Sequence, residues 1–115
     1  MAYDEKIAQR IRNQIKNLDD VREKKMFGGL AFMVNGKMSF AVGSDDVMFR
    51  IDPKIHEQEV KKAGCSTTTM GGKSYKGYID VEKESLQKES ELKYWIGLAL
   101  DFNEQIMITD YKKTD

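Results

Sequence analysis

A change of hydrophobic period near residue 24 is the feature that most limits what this chain can fold into. Between residues 24 and 51, bulky apolar side chains alternate with smaller or polar ones in the segments "LAFMV", "KMSFAV" and "DVMFR". A period of two is typical of β-strands, because successive side chains point to opposite faces of a sheet. Asn35-Gly36 and residues 43–46 separate the three segments and have the composition of hairpin turns. The chain therefore predicts a meander of three short strands.

The length of the first turn decides which side chains share a face of the sheet. A two-residue loop at Asn35-Gly36 would pair Val34 with Lys37. A three-residue loop pairs Met33 with Lys37 instead, and it brings four bulky side chains onto one face: Leu30, Phe32, Met38 and Phe40. Because the buried face sets the register of a hairpin, we predict the three-residue loop with a left-handed glycine. The following loop then pairs Val42 with Val47 and Phe40 with Phe49.

Apolar residues recur at helical spacing on either side of this meander. Residues 4–18 predict a first helix with Asp4 as its N-cap, and its apolar stripe is formed by Ile7, Ile11, Ile15 and Leu18. A second helix is predicted to begin at Asp52-Pro53 and to end at Ala63-Gly64. The apolar pattern predicts a last helix from about residue 90 to residue 103.

Two further strands, around residues 66–70 and 75–81, are predicted on either side of a Gly71-Gly72 turn. The element order is then α-β-β-β-α-β-β-α. Antiparallel connections dominate this order, and the helices most simply cover the sheet face that carries the bulky residues. We therefore predict a two-layer α+β domain with a mainly antiparallel sheet. We assign residues 1–105 to this single domain and residues 106–115 to a C-terminal tail.

Charge and cysteine content limit the classes of function. The chain has 19 basic and 19 acidic residues, whereas proteins that grip a phosphate backbone usually carry a basic excess. Cys65 is the only cysteine, which excludes an intramolecular disulfide and is typical of a reducing compartment. The sequence contains no secretory leader and no apolar stretch of about 18 residues. We expect a cytoplasmic protein that does not associate with a membrane.

Two glycine pairs are reminiscent of phosphate-binding loops, but their context is wrong. A P-loop needs a glycine-rich turn that leads into a helix. The segment "MFGGLAF" leads into a strand, and "GGKS" at residues 71–74 lacks the upstream glycine and also precedes a strand. We interpret Gly28-Gly29 as a bulge or a close backbone contact within the sheet. Residues 71–74 are interpreted as a hairpin turn.

The sequence shows no recognisable catalytic or metal-binding pattern. His56 and Cys65 are the only residues of their kinds, so they cannot supply most of a zinc site, and no Gly-x-Ser-x-Gly motif is present. We predict that His56 lies at the surface and that Cys65 is a small buried hydrophobe. A reactive Cys65 thiol is the alternative, because Lys61 and Lys62 are near in sequence. We expect neither enzymatic activity nor a cofactor.

The second face of the predicted sheet is a candidate for protein binding. This face is semi-apolar and of low relief, and it carries Phe27, Gly29, Ala31, Met33, Ser39, Ala41, Met48 and Arg50. If the helices cover only the other face, it is an exposed patch of the kind that marks partner or self-association surfaces. Alternatively, one helix or the tail covers it. The partner-binding candidates are Phe27, Met33, Met48 and Arg50.

A local basic segment is a candidate for nucleic-acid binding. Residues 60–79 contain no acidic residue, and the nucleic-acid candidates are Lys61, Lys62, Lys73, Lys76 and Tyr78, with Tyr75 nearby. Basic side chains interleaved with aromatic ones can hold a single strand. The alternative is a solvated strand face.

With these segments placed, the chain resembles the N-terminal domain of the TfoX/Sxy competence regulators and their short, stand-alone relatives. The matching residues are Met26–Gly29, Gly36–Met38 with Phe40, Val47–Ile51, Tyr78–Val81, and the later Leu92, Trp95 and Ala99. The resemblance covers roughly residues 5–105 in order. It implies a secretion-chaperone-like α+β fold.

The resemblance also carries expectations about function. For the full-length relatives it implies transcriptional regulation of DNA-uptake genes, without an established enzymatic activity. Those regulators have a second, helical domain, for which this chain has no corresponding residues. We therefore expect a non-enzymatic regulatory or protein-binding module that binds a partner protein or forms a homodimer. A nucleic-acid-binding module is the alternative.

Overall fold

A computed structural model describes residues 3–26 and 28–113. The described residues form three helices and six strands: α1 (Glu5–Gln14), β1 (Val21–Met26), β2 (Gly29–Val34), β3 (Lys37–Val42), β4 (Asp46–Arg50), α2 (His56–Glu59), β5 (Cys65–Met70), β6 (Lys73–Glu82) and α3 (Glu89–Lys113). Short 3-10 turns precede α2 and α3. The strands form one sheet in the order β1-β2-β3-β4-β6-β5, and every neighbouring pair is antiparallel. No helix in the described ranges is both long and apolar enough to cross a membrane.

The α+β class is confirmed, and the predicted elements occur in the predicted order, with differences in extent. The first helix ends at Gln14 instead of residue 18, so Leu18 lies outside it and is exposed. The second helix is shorter than predicted, since only His56–Glu59 is α-helical after the turn at Pro53–Ile55. The last helix continues beyond residue 103 to Lys113, through most of the segment predicted as a tail. The sheet also has one strand that was not predicted, β1.

Strand β1 escapes prediction because its sequence, "VREKKM", has no apolar alternation. Its register opposite β2 is set by backbone pairing, with Val21 opposite Val34 and Met26 opposite Gly29. The middle of the strand is exposed, and charged side chains on an edge strand discourage pairing with another chain. On the helix side, Arg12 of α1 donates a hydrogen bond of 2.8 Å to Glu23. Strand β1 is therefore a charged edge of the sheet.

The main core lies between the helices and one face of the sheet. At its centre are Phe32, Phe40 and Phe49 from adjacent strands, with ring centroids 5.7 and 6.2 Å apart. Trp95 of α3 stacks on Phe49 at 5.7 Å. Further buried side chains from the helices are Ile7, Ile11, Ile15, Leu92, Ile96 and Ala99. Each large buried side chain contributes about 1.5–3 kcal/mol. The helices therefore cover the bulky sheet face, as predicted.

The predicted first turn is wrong, because Asn35-Gly36 forms a two-residue loop with Val34 opposite Lys37. Both loop residues have positive φ, 54° and 78°, and such turns match the twist of a hairpin. The register changes inside the hairpin: Met33 lies opposite Met38, but Phe32 lies opposite Phe40. One extra residue, Ser39, is therefore accommodated in a bulge.

The bulge returns Phe40 to the core but reverses two other assignments. Met38, predicted in the core, packs on the opposite face. Ser39, predicted on that opposite face, is buried, and its hydroxyl accepts a hydrogen bond of 3.2 Å from Asn103 of α3. Asn103 also donates to the Val34 carbonyl at 2.9 Å and accepts from Asn35 at 3.0 Å. The predicted pairs of β3 with β4 are confirmed.

Strands β5 and β6 also change register, around a displaced segment at residues 75–78. Thr67 lies opposite Ile79, whereas Thr69 lies opposite Ser74. The displaced segment is anchored at Gly77, whose φ is 94° and whose N–H donates to His56 Nδ1 at 2.9 Å. Nε2 of the same ring lies 2.7 Å from Thr67 Oγ1. A neutral ring with its proton on Nε2 satisfies both contacts.

The prediction that His56 lies at the surface is wrong, because only 2% of the residue is exposed. Both of its ring nitrogens have partners that are distant in sequence. His56 therefore connects α2 to the displaced segment of the β5–β6 hairpin.

Candidate functional site

The second face of the sheet is not an open apolar patch, which was one of the two alternatives that the sequence left open. Ala31, Ala41 and Met48 lie at its centre, and they are only 0%, 8% and 8% exposed. The partly buried residues that pack against this group are Met26, Met38 and Tyr78. Side chains of the sheet itself thus close over much of the face.

A pocket of about 190 Å³ remains open on this face, and we name it the methionine pocket. Its lining residues are Met26, Gly29, Ala41, Val42, Gly43, Asp46, Met48, Thr68, Met70 and Asp80. The three methionines come from β1, β4 and β5. Unbranched methionine side chains adapt to occupants of different shape and are common on binding surfaces.

Glycine at position 29 is required where the pocket meets the sheet. A Cβ on Gly29 would collide with the carbonyl oxygen of Val42, so a close backbone contact, one of the two alternatives predicted for this glycine pair, is confirmed at Gly29. Gly28 has a φ of 71°, which favours glycine. Gly28 lies in the turn between β1 and β2, Gly29 is the first residue of β2 opposite Met26, and Met26 at the end of β1 lines the pocket.

The opposite wall of the pocket comes from the tip of the β5–β6 hairpin. The register change after Thr67 separates this tip from the regular ladder. Met70 at the tip lines the same pocket as Met26 of β1, although β5 and β1 are the two edges of the sheet. The sheet therefore curves toward its second face, and its edges contribute opposite walls.

Two carboxylates lie in the pocket wall, Asp46 of β4 and Asp80 of β6. Thr68 Oγ1 donates a hydrogen bond of 2.8 Å to Asp80 Oδ1. Burial raises the pKa of both carboxyls, and the nearby negative charges of Asp80, Asp45 and Glu82 raise the pKa of Asp46 further. Each carboxylate would gain from a cation, because an opposite charge offsets both burial and mutual repulsion.

A scan against protein-family models matches residues 13–103 to the model described as TfoX N-terminal domain. The chain belongs to the TfoX N-terminal domain family. The match runs from α1 into α3, so it includes the whole sheet and every residue of the methionine pocket. Searches of curated proteins and of solved structures gave no match.

The partner-binding candidates have different positions in this TfoX N-terminal domain. Met48 is a buried part of the pocket wall, whereas Met33 is half-buried in β2 and is not part of the pocket lining. The guanidinium of Arg50 lies 5.5 Å from the ring centroids of both Tyr78 and Phe102. Phe27 lies outside the described residues. Met48 is only 8% exposed, so it is not available as an exposed contact, and the choice of this face for partner binding stays a prediction.

The predicted lysine surface of the domain is split into two groups. Lys61 and Lys62 precede the start of β5, whereas Lys73 pairs with the last residue of that strand. Six strand residues at about 3.3 Å each separate the groups. Lys62 is engaged locally, 3.5 Å from Glu59 and 5.4 Å from the ring centroid of Tyr94. Only Lys73 and Lys76 remain near the tyrosine pair of β6.

A second pocket, of about 350 Å³, lies between the loop that follows α2, the short turn before α3 and the N-terminal part of α3. Beside it, the Tyr94 hydroxyl donates a hydrogen bond of 2.6 Å to the buried Glu59 carboxylate. Burial alone would raise the pKa of Glu59, but hydrogen bonds from Tyr94 and Gln58 and the charge of Lys62 hold it below its ordinary value. These groups satisfy one another and form a structural network.

The Cys65 thiol is half-buried near the same network, and its sulfur lies 3.7 Å from the Ala63 carbonyl. Burial raises the pKa of the thiol, and Glu59 raises it further, more than Lys62 lowers it. A raised pKa disfavours the nucleophilic thiolate. The environment therefore favours the inert Cys65 that the sequence predicts over the alternative of a reactive thiol. Among the described residues, no group of three or more His, Cys, Asp or Glu is placed to hold a metal ion.

Proposed function

We propose that this TfoX N-terminal domain is a non-enzymatic regulatory module of the cytoplasm that binds a partner protein through the methionine pocket. The observation that supports the proposal most directly is the pocket itself, an adaptable apolar slot with carboxylates in its wall. Membership of a family named after a regulator supports the regulatory part. The second pocket is a weaker candidate, because its nearby charged groups are already paired with each other.

A matched pair of variants tests the proposed docking site. Met70 and Leu18 are both exposed apolar residues, at 37% and 39%, but only Met70 lines the pocket. We expect Met70→Glu to abolish capture of the partner from a native lysate, since it places a charge in an apolar wall. Leu18→Glu should retain capture. Equal capture by both variants would exclude this pocket as the docking site.

Nucleic-acid binding is the second candidate function, on a smaller surface than the sequence predicts. Tyr75 and Tyr78 form an edge-to-face pair at 6.3 Å, and Lys73 and Lys76 are exposed on the same strand. Aromatic and basic groups in this combination can stack and hold single strands. This candidate predicts binding of a single-stranded oligonucleotide that weakens steeply with salt and is lost in Lys76→Glu. Nuclease treatment of the lysate would then remove the captured material.

A further inference from the structure

The volume of the methionine pocket limits what can occupy it. Pockets that enclose small molecules usually measure about 300–1,000 Å³, whereas this one measures about 190 Å³. The space fits a single extended side chain better than a cofactor or nucleotide. The occupant is therefore one residue that projects from a larger ligand.

The apolar walls of the pocket indicate what kind of hydrocarbon stem that residue has. Met26, Met48 and Met70 line it from three strands, and Ala41 is also part of the lining. Thioether and methyl groups favour an unbranched hydrocarbon chain and can adjust to its course. Long basic side chains have such a stem below a charged head.

The carboxylates determine the head of the residue. Asp46 and Asp80 are both half-buried in the wall. Within the described ranges, neither forms an ion pair with a lysine or arginine of the chain. Thr68 occupies one oxygen of Asp80, which leaves its second oxygen and Asp46 as acceptors. Charge-assisted hydrogen bonds to an incoming cation are stronger than neutral ones.

Taking the proposed docking site as its basis, we infer that the methionine pocket binds a lysine or arginine side chain of the partner protein. The stem lies between the methionines and the cationic head contacts Asp46 and Asp80. The same carboxylates disfavour an acidic or uncharged residue, so the pocket selects a basic segment of the partner.

The inference is tested by nuclear magnetic resonance on the full chain with ¹³C-labelled methionine methyl groups. The probes are three blocked pentapeptides of glycine with a central lysine, arginine or norleucine, because norleucine keeps the stem and lacks the charge. We expect the lysine or arginine peptide to shift the methyl signals of Met26, Met48 and Met70 but not that of Met107 on α3. Equal shifts with norleucine, or none up to about 10 mM peptide, beyond the range of weak specific binding, would overturn the inference.

A charge-removing pair of variants locates the head of the side chain. Asp80→Asn keeps the shape and can still accept from Thr68, whereas Asp101→Asn changes an exposed carboxylate on α3. We expect Asp80→Asn to weaken peptide binding at least about tenfold, as for the loss of a charge-assisted hydrogen bond, and Asp101→Asn to leave it unchanged. Unchanged binding to Asp80→Asn overturns the assignment of the head.

Capture of the partner distinguishes failure of this inference from failure of the proposed function. If capture depends on Met70 but not on Asp80, the docking site stands and the basic occupant is wrong. If the peptides bind but capture of the partner depends on neither Met70 nor Asp80, the proposed docking function is wrong. If the pocket methyl signals shift with protein concentration alone, the occupant belongs to a second copy, which overturns its assignment to a different protein.

Discussion

On the helix-covered face of the sheet, three phenylalanines from neighbouring strands lie in a row, whereas the adjacent residues on the opposite face are Ala31, Ala41 and Met48. The phenylalanine face is filled by rigid rings. The opposite face is built from small and flexible residues, and half-buried carboxylates border its open pocket. One sheet thus separates the side that stabilises the fold from the side that keeps space for a ligand.

The largest expected loss of stability comes from alanine substitutions at two neighbouring residues of β4 whose side chains point to opposite faces of the sheet. Phe49→Ala should lower the free energy of unfolding by about 3–5 kcal/mol, because a buried ring leaves a large cavity. Met48→Ala should cost about 2 kcal/mol, near the lower limit for buried methionine, because its site already borders an open pocket. Urea denaturation of both variants measures the difference. Equal losses would contradict the contrast between the faces.

The second-largest expected loss of stability concerns the bulge at Ser39, which decides which residues of β3 lie on each face of the sheet. Asn103→Ala removes the amide that bonds Val34, Asn35 and Ser39, and leaving buried partners unsatisfied costs about 1–3 kcal/mol. Glu104→Ala, at an exposed neighbouring position, should stay within about 0.5 kcal/mol of the original chain. Thermal unfolding followed by circular dichroism compares the two. If Asn103→Ala is as stable as Glu104→Ala, α3 does not hold the bulge.

The smallest expected effect is a gain in stability on the pocket side. Burial raises the pKa of Asp80 from its ordinary value of 3.8, so the folded state disfavours the ionised carboxyl. The stability that protonated Asp80 gives to the fold is fully present below the ordinary pKa. It is lost as the pH rises through the raised pKa of the folded state. Asp80→Asn lacks the charge, and it should be more stable than the original chain by about 0.5–1 kcal/mol at neutral pH.

The pH dependence separates this explanation from a general effect of the substitution. The stability difference between Asp80→Asn and the original chain should shrink as the pH falls through the raised pKa of Asp80, because protonation removes the buried charge. Asp101→Asn should show no such trend. A variant that is less stable at neutral pH would mean that the Asp80 charge supports the fold instead of burdening it.

Much of the fold can be predicted from apolar periodicity. The predictions that are wrong concern features that leave no apolar periodicity in the sequence. The alternation in β4 fixes its pairs with β3, and these were predicted correctly. The same residues can form either a two-residue turn with a bulge at Ser39 or a three-residue turn without a bulge. The sequence alone therefore does not distinguish the two arrangements. Strand β1 carries charges on both faces and is visible only through its backbone pairing with β2.

The site was predictable only in part, for a related reason. The sequence placed Met33, Met48 and Arg50 on the face opposite the phenylalanines, because alternation alone decides the face. Met70 joins that face through a register change in β5 and β6, and Asp80 becomes a wall residue only once β6 lies beside β4. Both depend on contacts between segments far apart in sequence. His56 was misplaced for the same reason, since its partners lie on β5 and β6.

The two walls of the methionine pocket come from the first and last strands of the sheet, which share no hydrogen bond. A ligand bound in the pocket would therefore hold the two free edges together. Fraying at either edge destroys the pocket, so occupancy and sheet integrity are thermodynamically linked. A ligand at about 100 times its dissociation constant would add about 2.7 kcal/mol to the stability of the fold. The bound domain would then resist proteolysis at the edges of the sheet better than the free domain, and this difference would distinguish the two states in a cell.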